Sequence, residues 1–126
     1  MEQNTLILSK LSKTWFIDID GTIVEHNGYL NGTDKPLKGA IDFLKSIPEK
    51  DFIVFTTARN SKFKVITQDF LRNNNIRYDL ILYDLPSGER VVINDKKPSG
   101  LLMSHAINLE RNEGFSQITI KFDGDL

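Results

Sequence analysis

The sequence contains no cysteine, which excludes disulfides, thiolate zinc sites and cysteine nucleophiles. No stretch approaches the roughly 20 consecutive apolar residues that a membrane-spanning helix requires, and residues 1–13 lack the apolar region of a secretory signal. Neither charge is in excess, since the net charge is -1, and this disfavours a broad basic surface for nucleic acid. We therefore expect a cytoplasmic protein that has no membrane partner and does not bind nucleic acid through its overall charge.

The composition is that of an ordinary globular protein. The chain has 126 residues, of which 40% are hydrophobic and 26% charged, and this size predicts a single domain over residues 1–126. Short apolar runs alternate with amphipathic segments, and turn residues separate them. The pattern predicts strands at residues 15–19, 52–55, 80–83, 90–93, 106–109 and 117–122, and helices at residues 36–47 and 61–74. Asp34 is predicted to cap the first helix, and the three asparagines at residues 73–75 to end the second.

The order of these elements predicts an α/β fold. Alternation of strands and helices is typical of right-handed crossovers and a mainly parallel sheet, so we expect a Rossmann-like, three-layer sandwich. Ligands of such sheets bind beyond the carboxyl ends of the strands. Three predicted strands deliver polar clusters to that edge: Asp18 and Asp20, then Thr57 and Arg59, then Asp95, Lys96 and Lys97.

Two carboxylates at Asp18 and Asp20 are costly at the end of a buried strand unless a cation separates their charges. Magnesium favours such hard oxygen ligands, and it is typically held by one or two carboxylates, waters and a substrate phosphate. The sequence therefore predicts a Mg²⁺ site that Asp18 shares with Asp95 from a separate strand. No His/Cys cluster offers zinc a site.

Three motifs resemble those of the haloacid dehalogenase-like (HAD) phosphatase superfamily. The segment Asp18-Ile19-Asp20-Gly21-Thr22 after an apolar strand resembles the first motif. Residues 55–59, Phe-Thr-Thr-Ala-Arg, resemble the second, and residues 93–95, Ile-Asn-Asp, resemble the acidic metal-binding motif. The order and spacing of the motifs match, and the resemblance extends from about residue 15 to residue 97.

The resemblance implies a role for each matching residue. Asp18 would be the nucleophile that forms an aspartyl-phosphate. Asp20 would act as general acid and then general base, with its backbone carbonyl as a metal ligand. Thr57 would bind the transferred phosphoryl group, and Gly21 would permit the tight turn. Further substrate contacts are expected from the residues around these motifs: Gly21, Thr22, Arg59, Asn60, Arg90 and Lys96.

The sequence departs from the family pattern in two places. The family expects a lysine ahead of the acidic motif, but residues 76–93 contain none. We expect Lys97 to neutralise the phosphoryl charge instead, with Lys96 and Arg90 as rivals. Asn94 also stands where a second acid is frequent, which leaves Asp95 as the oxygen donor.

The spacing of the motifs leaves no room for the cap domain that many members carry. An uncapped site suggests a bulky substrate or a lid from a neighbouring subunit, and residues 24–34 form the nearest flap. A phosphorylated small molecule, with sugar phosphates foremost, is the expected substrate. A phosphatase of nucleic-acid ends or phosphoproteins and a non-catalytic HAD-like assembly module remain alternatives.

Each candidate also has a purely structural interpretation. Thr57 could cap a helix near residue 61, and Asp95 could belong to an ordinary turn. Lys96 and Lys97 could be a solvated pair. We expect His26 to be an exposed loop residue and His105 to be structural.

Overall fold

The computed structural model describes residues 4–126, so residues 1–3 of the predicted domain lie outside the described part. It contains strands β1 (Asn4–Leu8), β2 (Thr14–Asp18), β3 (Phe52–Thr56), β4 (Leu80–Leu82) and β5 (Ile118–Phe122). The α-helices are α1 (Ala40–Ser46) and α2 (Lys64–Asn73), and short 3₁₀ turns lie at Gly28–Asn31 and Ser61–Phe63. None of the helices in this part of the chain is long and apolar enough to cross a membrane.

A three-stranded parallel sheet in the order β2-β3-β4 carries the two first motifs. In its register Phe16 lies beside Val54, and Val54 lies beside Leu80. Helix α1 connects β2 to β3, and α2 connects β3 to β4. Right-handed crossovers that proceed in one direction along a sheet place their helices on the same face. The predicted α/β class with parallel strands is thus confirmed.

The main core lies on the face of this sheet that both helices cover. Side chains alternate between the faces of a strand, and every second residue of the three strands belongs to the core cluster or packs against it. Helix α1 contributes Ala40 and Leu44, and α2 contributes Leu71. From the three strands of this sheet, Ile17, Ile53 and Phe55 are cluster members, and the partly buried Trp15 and Ile81 pack against them.

The opposite face of the same sheet is largely uncovered. Phe16 is 61% exposed, and Phe52, Leu80 and Leu82 are 46%, 45% and 37% exposed, whereas Val54 in the central strand is buried. Parallel sheets normally have both faces covered. The described elements therefore form only part of the predicted three-layer sandwich, because both helices pack into the same core.

A second, two-stranded sheet joins the two ends of the chain. β1 pairs in parallel with β5 from Asn4 opposite Ile118 to Leu8 opposite Phe122. The predicted strand at residues 117–122 is confirmed. Its partner β1 was not predicted, because its apolar stretch is short and its pairing partner is distant in sequence.

The predicted strands at residues 90–93 and 106–109 are wrong for this structure. Residues 86–110 form no helix or strand, and residues 86–100 are all exposed. Val91 is 79% exposed and Ile93 is 93% exposed. We call residues 86–109 the arm. Apolar, β-branched sequence favours a strand only where an edge is available for pairing, and the arm pairs with none in the described chain.

The two predicted helices are confirmed with shorter bounds. Helix α1 begins after Gly39, whose φ of +75° stops the helix short of residue 36, so Asp34 does not cap it. The segment after β3 opens with a 3₁₀ turn that Asn60 caps by accepting a hydrogen bond from Lys62 N. Helix α2 ends at Asn73 as the asparagine run predicts, and Asn75 adopts a φ of +55°.

Candidate active site

The first two motifs meet at the carboxyl ends of neighbouring strands. Asp18 is the last residue of β2 and lies beside Thr56, the last residue of β3. The pairing continues for one more step, because Ile19 N donates to Thr56 O at 3.1 Å. The side chains of Asp20 and Thr57 are therefore brought together, as parallel pairing of the two strands predicts.

A tight turn follows β2 and depends on Gly21. Its φ is +83°, a conformation that favours glycine. Gly21 N donates to Val24 O at 2.7 Å, and Gly21 O accepts from Asn112 N at 2.9 Å. An added Cβ would lie 3.1 Å from Cγ of Arg111. Residues 111 and 112, which no sequence motif marked, thus brace the turn that follows the two aspartates.

Asp18 carries a partly desolvated carboxyl group. Burial raises its pKa above the ordinary value, and the neighbouring charge of Asp20 raises it further. A hydrogen bond from Thr22 Oγ1 to Asp18 Oδ2 at 3.0 Å opposes this shift. The charge of Arg90 also lowers the pKa of Asp18, although burial prevails. Ionised Asp18 would therefore gain from a nearby cation.

Asp20 is held differently, by donors from the segment after β3. Thr57 Oγ1 donates to Asp20 Oδ2 at 3.0 Å. Arg59 donates from Nη2 to Asp20 Oδ1 at 2.9 Å and from Nε to both carboxylate oxygens at 3.1 and 3.2 Å. The side chain of Asp20 keeps 13% of its surface exposed. This carboxylate is fixed in orientation yet still reaches solvent.

Arg59 is the centre of a buried network, although we expected it to contact substrate. The residue is only 2% exposed. Its guanidinium donates to both oxygens of Asp34 at 2.7 and 3.0 Å and to Thr67 Oγ1 at 2.9 Å, and it lies 4.1 Å from the ring centre of Tyr29. We call this group the Arg59 cluster: Asp20, Tyr29, Asp34, Arg59 and Thr67.

The two aspartates stabilise the charged form of this arginine. Burial alone lowers the pKa of the Arg59 guanidinium, but the hydrogen bonds and charges of Asp34 and Asp20 outweigh burial and raise it overall. Arg59 is thus the positioning residue of Asp20 in this structure. A signal for this existed in the sequence, because a buried acid pair needs a counterion and Arg59 follows the neighbouring strand.

The third motif lies apart from the first two. Asp95, Lys96 and Lys97 are exposed on the arm, and the polar partner of the Asp95 carboxylate is the adjacent Asn94, whose Nδ2 lies 3.3 Å from Asp95 Oδ1. The expected pairing of Asp95 with Asp18 is not formed within the described chain. The strand that should carry Asp95 to the sheet edge is absent from that part of the structure.

Among the cations proposed for the phosphoryl group, Arg90 is the one whose charge acts on Asp18. Its Nη1 donates to Pro86 O at 3.1 Å and to Gly88 O at 2.8 Å. The assignment of Lys97, Lys96 or Arg90 to the phosphoryl charge stays a prediction.

The remaining candidates lie around the turn. Asn60 uses its side chain to cap the 3₁₀ turn, as its hydrogen bond from Lys62 N at 2.9 Å indicates. His26, which we expected to be exposed, is half-buried, and its backbone N donates to Asn112 Oδ1 at 2.8 Å. A substrate contact by Asn60 stays a prediction.

Two oxygen donors of the chemical kind that Mg²⁺ prefers stand at the end of β2. The carboxylate of Asp18 and the backbone carbonyl of Asp20 are hard donors, and that carbonyl accepts no backbone hydrogen bond among residues 4–126. Within the same residues, no three Asp, Glu or His side chains converge on one point. Asp95 is thus not part of this donor set in a single chain.

Comparisons with known proteins inform the fold. No model of a known protein family matches the chain, and no curated protein matches it. A crystal structure of a structural-genomics target from Vibrio cholerae is similar, with 25% sequence identity and a TM-score of 0.51. The match covers 69% of this chain and 85% of that chain. It supports the α/β architecture described above.

Proposed function

We propose that the chain is a magnesium-dependent phosphatase of the HAD-like type, which hydrolyses a phosphate monoester through an aspartyl-phosphate. The observation that carries this proposal is the unequal pair of carboxylates at the end of β2. Asp18 is partly desolvated and accepts a hydrogen bond from the hydroxyl of Thr22. Asp20 instead accepts hydrogen bonds from Thr57 and Arg59. Two acids with different surroundings suit two different roles.

In the first step an oxygen of the Asp18 carboxylate attacks phosphorus, and the bond from phosphorus to the ester oxygen breaks. Protonated Asp20 gives its proton to the departing alkoxide, which leaves as the alcohol. Thr22 orients the nucleophile through its hydrogen bond to Asp18 Oδ2. This hydrogen bond leaves Oδ1 of Asp18 as the oxygen that attacks the substrate.

In the second step water attacks the phosphorus of the aspartyl-phosphate, and Asp20 accepts the proton of that water. Phosphate leaves and the Asp18 carboxylate is restored. Arg59 holds the Asp20 carboxylate in one orientation through hydrogen bonds from Nε and Nη2. Its fixed geometry keeps the base in place without contact between Arg59 and substrate.

A magnesium ion, when bound to the Asp18 carboxylate and the Asp20 carbonyl, supplies positive charge for the phosphoryl oxygens. The chain itself offers Thr57 as a hydroxyl donor near the phosphoryl position, since its Oγ1 lies 3.0 Å from Asp20 Oδ2. Arg90 offers a cation whose charge acts on Asp18. Such positioning and charge stabilisation account for most of the catalysis of phosphoryl transfer.

We propose a phosphorylated small molecule, with sugar phosphates first, as the substrate. Residues 19–51 between β2 and β3 contain only a 3₁₀ turn and the seven-residue helix α1, so this segment contributes no separate cap domain. The net charge of -1 argues against a large nucleic-acid surface. Phosphorylated ends of oligonucleotides and phosphopeptides belong in the substrate panel because an uncapped site admits bulky groups.

Release of p-nitrophenol from p-nitrophenyl phosphate tests the proposal. We expect turnover by the unmodified chain that requires Mg²⁺, and none by Asp18→Asn. Asp69→Asn is the matched control, because Asp69 lies on the exposed side of α2 and its side chain is 47% exposed. If the unmodified chain releases no product over a range of pH and of divalent metals, the non-catalytic assembly module becomes the better hypothesis.

A further inference from the structure

The arm leaves the body beside the candidate site and returns to it. Leu85 N donates to Thr57 O at 3.1 Å before the arm, and Asn112 N donates to Gly21 O at 2.9 Å after it. Between these anchors the outgoing limb, residues 86–100, is exposed at every position. Its hydrogen bonds are local, as between Lys97 N and Leu101 O at 3.0 Å. These fifteen residues have no covering partner in the described chain.

Residues 91–93 of the outgoing limb, Val-Val-Ile, have the composition of a buried strand. Val91, Val92 and Ile93 are 79%, 56% and 93% exposed. Three consecutive large aliphatic side chains in water forgo the hydrophobic stabilisation that burial would give them. Exposed apolar segments of this kind commonly mark a protein interface.

The rest of the chain exposes a strand edge that could pair with residues 90–93 of the arm. Strand β2 is at the edge of its sheet and pairs only with β3 among the described strands. Its Phe16 is 61% exposed, next to the uncovered apolar face of the sheet. An edge strand with open backbone groups is a template for a further strand. This edge ends at Asp18, so a parallel strand added there would end beside the candidate site.

We propose that two copies of the chain exchange their arms. Residues 90–93 of each copy pair in parallel with the free edge of β2 in the other copy, and Asp95 thereby lies beside the other copy's Asp18. This part of the inference, in which Asp95 completes the magnesium site, rests on the proposed function. The exchange itself rests on the exposed arm and the open edge.

We propose a second copy as the partner because the arm and the free edge of β2 are both exposed on the same chain. Self-complementary surfaces produce closed two-fold dimers in which each contact occurs twice. The arm is about as long as one side of a standard interface, which involves roughly 20–30 residues. Charges also match, since Lys96 and Lys97 would approach the acidic pair Asp18 and Asp20 of the other copy.

Light scattering tests the exchange without reference to activity. We expect twice the mass of the 14.4 kDa chain for the unmodified protein, and a single chain for Ile93→Asp, because a charge would enter the new strand pairing. Val65→Asp is the matched control, since Val65 is a 69% exposed aliphatic residue on α2, and it should remain a dimer. A single-chain mass for the unmodified protein would overturn the proposal.

Subunit mixing tests the shared site. Asp18→Asn and Asp95→Asn chains, each impaired alone, are unfolded together, refolded as a mixture and assayed. A mixed dimer holds one site with both aspartates intact, so random mixing should restore about a quarter of the unmodified activity. If Asp95 acts within its own chain, mixing restores nothing, and this result would refute the shared site.

The two experiments separate the proposals. A dimer that Ile93→Asp dissociates, but that has no phosphatase activity, refutes the proposed function and leaves the exchange standing. An active single chain refutes the exchange and leaves the function standing. An active dimer that mixing does not complement refutes the shared site alone.

Discussion

The Arg59 cluster and the arm border the same candidate site but differ in the burial of their charged groups, which are buried and paired in the cluster and exposed in the arm. In the cluster every donor of a buried guanidinium is directed at a partner in the same chain, and Arg59 is 2% exposed. In the arm Arg90, Lys96 and Lys97 are exposed, and so are the aliphatic residues between them. The difference teaches that a single chain completes the support of Asp20 by itself, whereas the third motif stays exposed in the described chain.

The largest expected effect is a loss of activity, and it should be greater for the carboxylate of the first motif than for that of the third. Asp18→Asn should lower kcat about 10⁴-fold, because it removes the nucleophile. Asp95→Asn should be milder, about 10–100-fold, mainly as a higher magnesium requirement. Magnesium titrations of p-nitrophenyl phosphate turnover measure both. Equal losses for the two variants would contradict the division between a nucleophile and a metal ligand.

The second contrast compares the two arginines. Arg59→Met should reduce the free energy of unfolding by about 3–5 kcal/mol, because Asp20 and Asp34 lose their buried counterion. Arg90→Met should change it by less than about 0.5 kcal/mol, because Arg90 is exposed. Urea denaturation followed by circular dichroism measures both values. A small cost for Arg59→Met would show that water solvates the two aspartates in place of the arginine.

Cleavage by trypsin measures how accessible the arm is to solvent in comparison with the Arg59 cluster. The arm offers cleavage sites after Arg90 and Lys96, whereas Arg59 is buried. Pairing in an exchanged dimer should protect the arm, so cleavage at Arg90 should become several-fold faster when dilution dissociates the dimer. Mass spectrometry of the fragments at two protein concentrations measures this. A rate of arm cleavage that is independent of concentration would contradict protection by a second copy.

The smallest expected effect concerns the titration of Asp18 in magnesium-free buffer. Its pKa is raised in the folded protein, so folding stability decreases as the pH rises from the ordinary pKa of an aspartate through the raised one. Asp18→Asn removes this penalty and should raise Tm by about 2–4 °C at pH 7.

The stabilisation should vanish at acid pH, where Asp18 is protonated in both states. Magnesium should raise Tm of the unmodified protein but have less effect on Asp18→Asn. Thermal melts at several pH values, with and without Mg²⁺, provide the measurement. A destabilised Asp18→Asn at neutral pH would contradict a desolvated carboxylate.

Local patterns predicted the elements that bury a periodic face. The strands that end at Asp18 and Thr56, the helix that ends at Asn73 and the strand β5 were all expected from apolar spacing. The meeting of Asp20 with Thr57 also followed, because parallel strands bring their carboxyl ends to one edge. These features depend on short-range sequence and on one general rule of topology.

Other features were beyond local pattern. Asp34 looked like a helix cap, yet it pairs with Arg59, because a buried guanidinium attracts the nearest carboxylates in space. Residues 90–93 have the apolar sequence of a strand but remain unpaired, because a strand requires an edge as well as a propensity. Strand β1 escaped prediction for the converse reason, since its partner lies at the other end of the chain.

The sequence alone determined the α/β alternation, the parallel strands and the acid pair that ends β2, because side-chain periodicity and turn residues act locally. Tertiary structure decided which cation holds Asp20, which face of the sheet stays open and where Asp95 lies. Those outcomes depend on burial and on distances between residues far apart in the chain. No local pattern encodes such quantities.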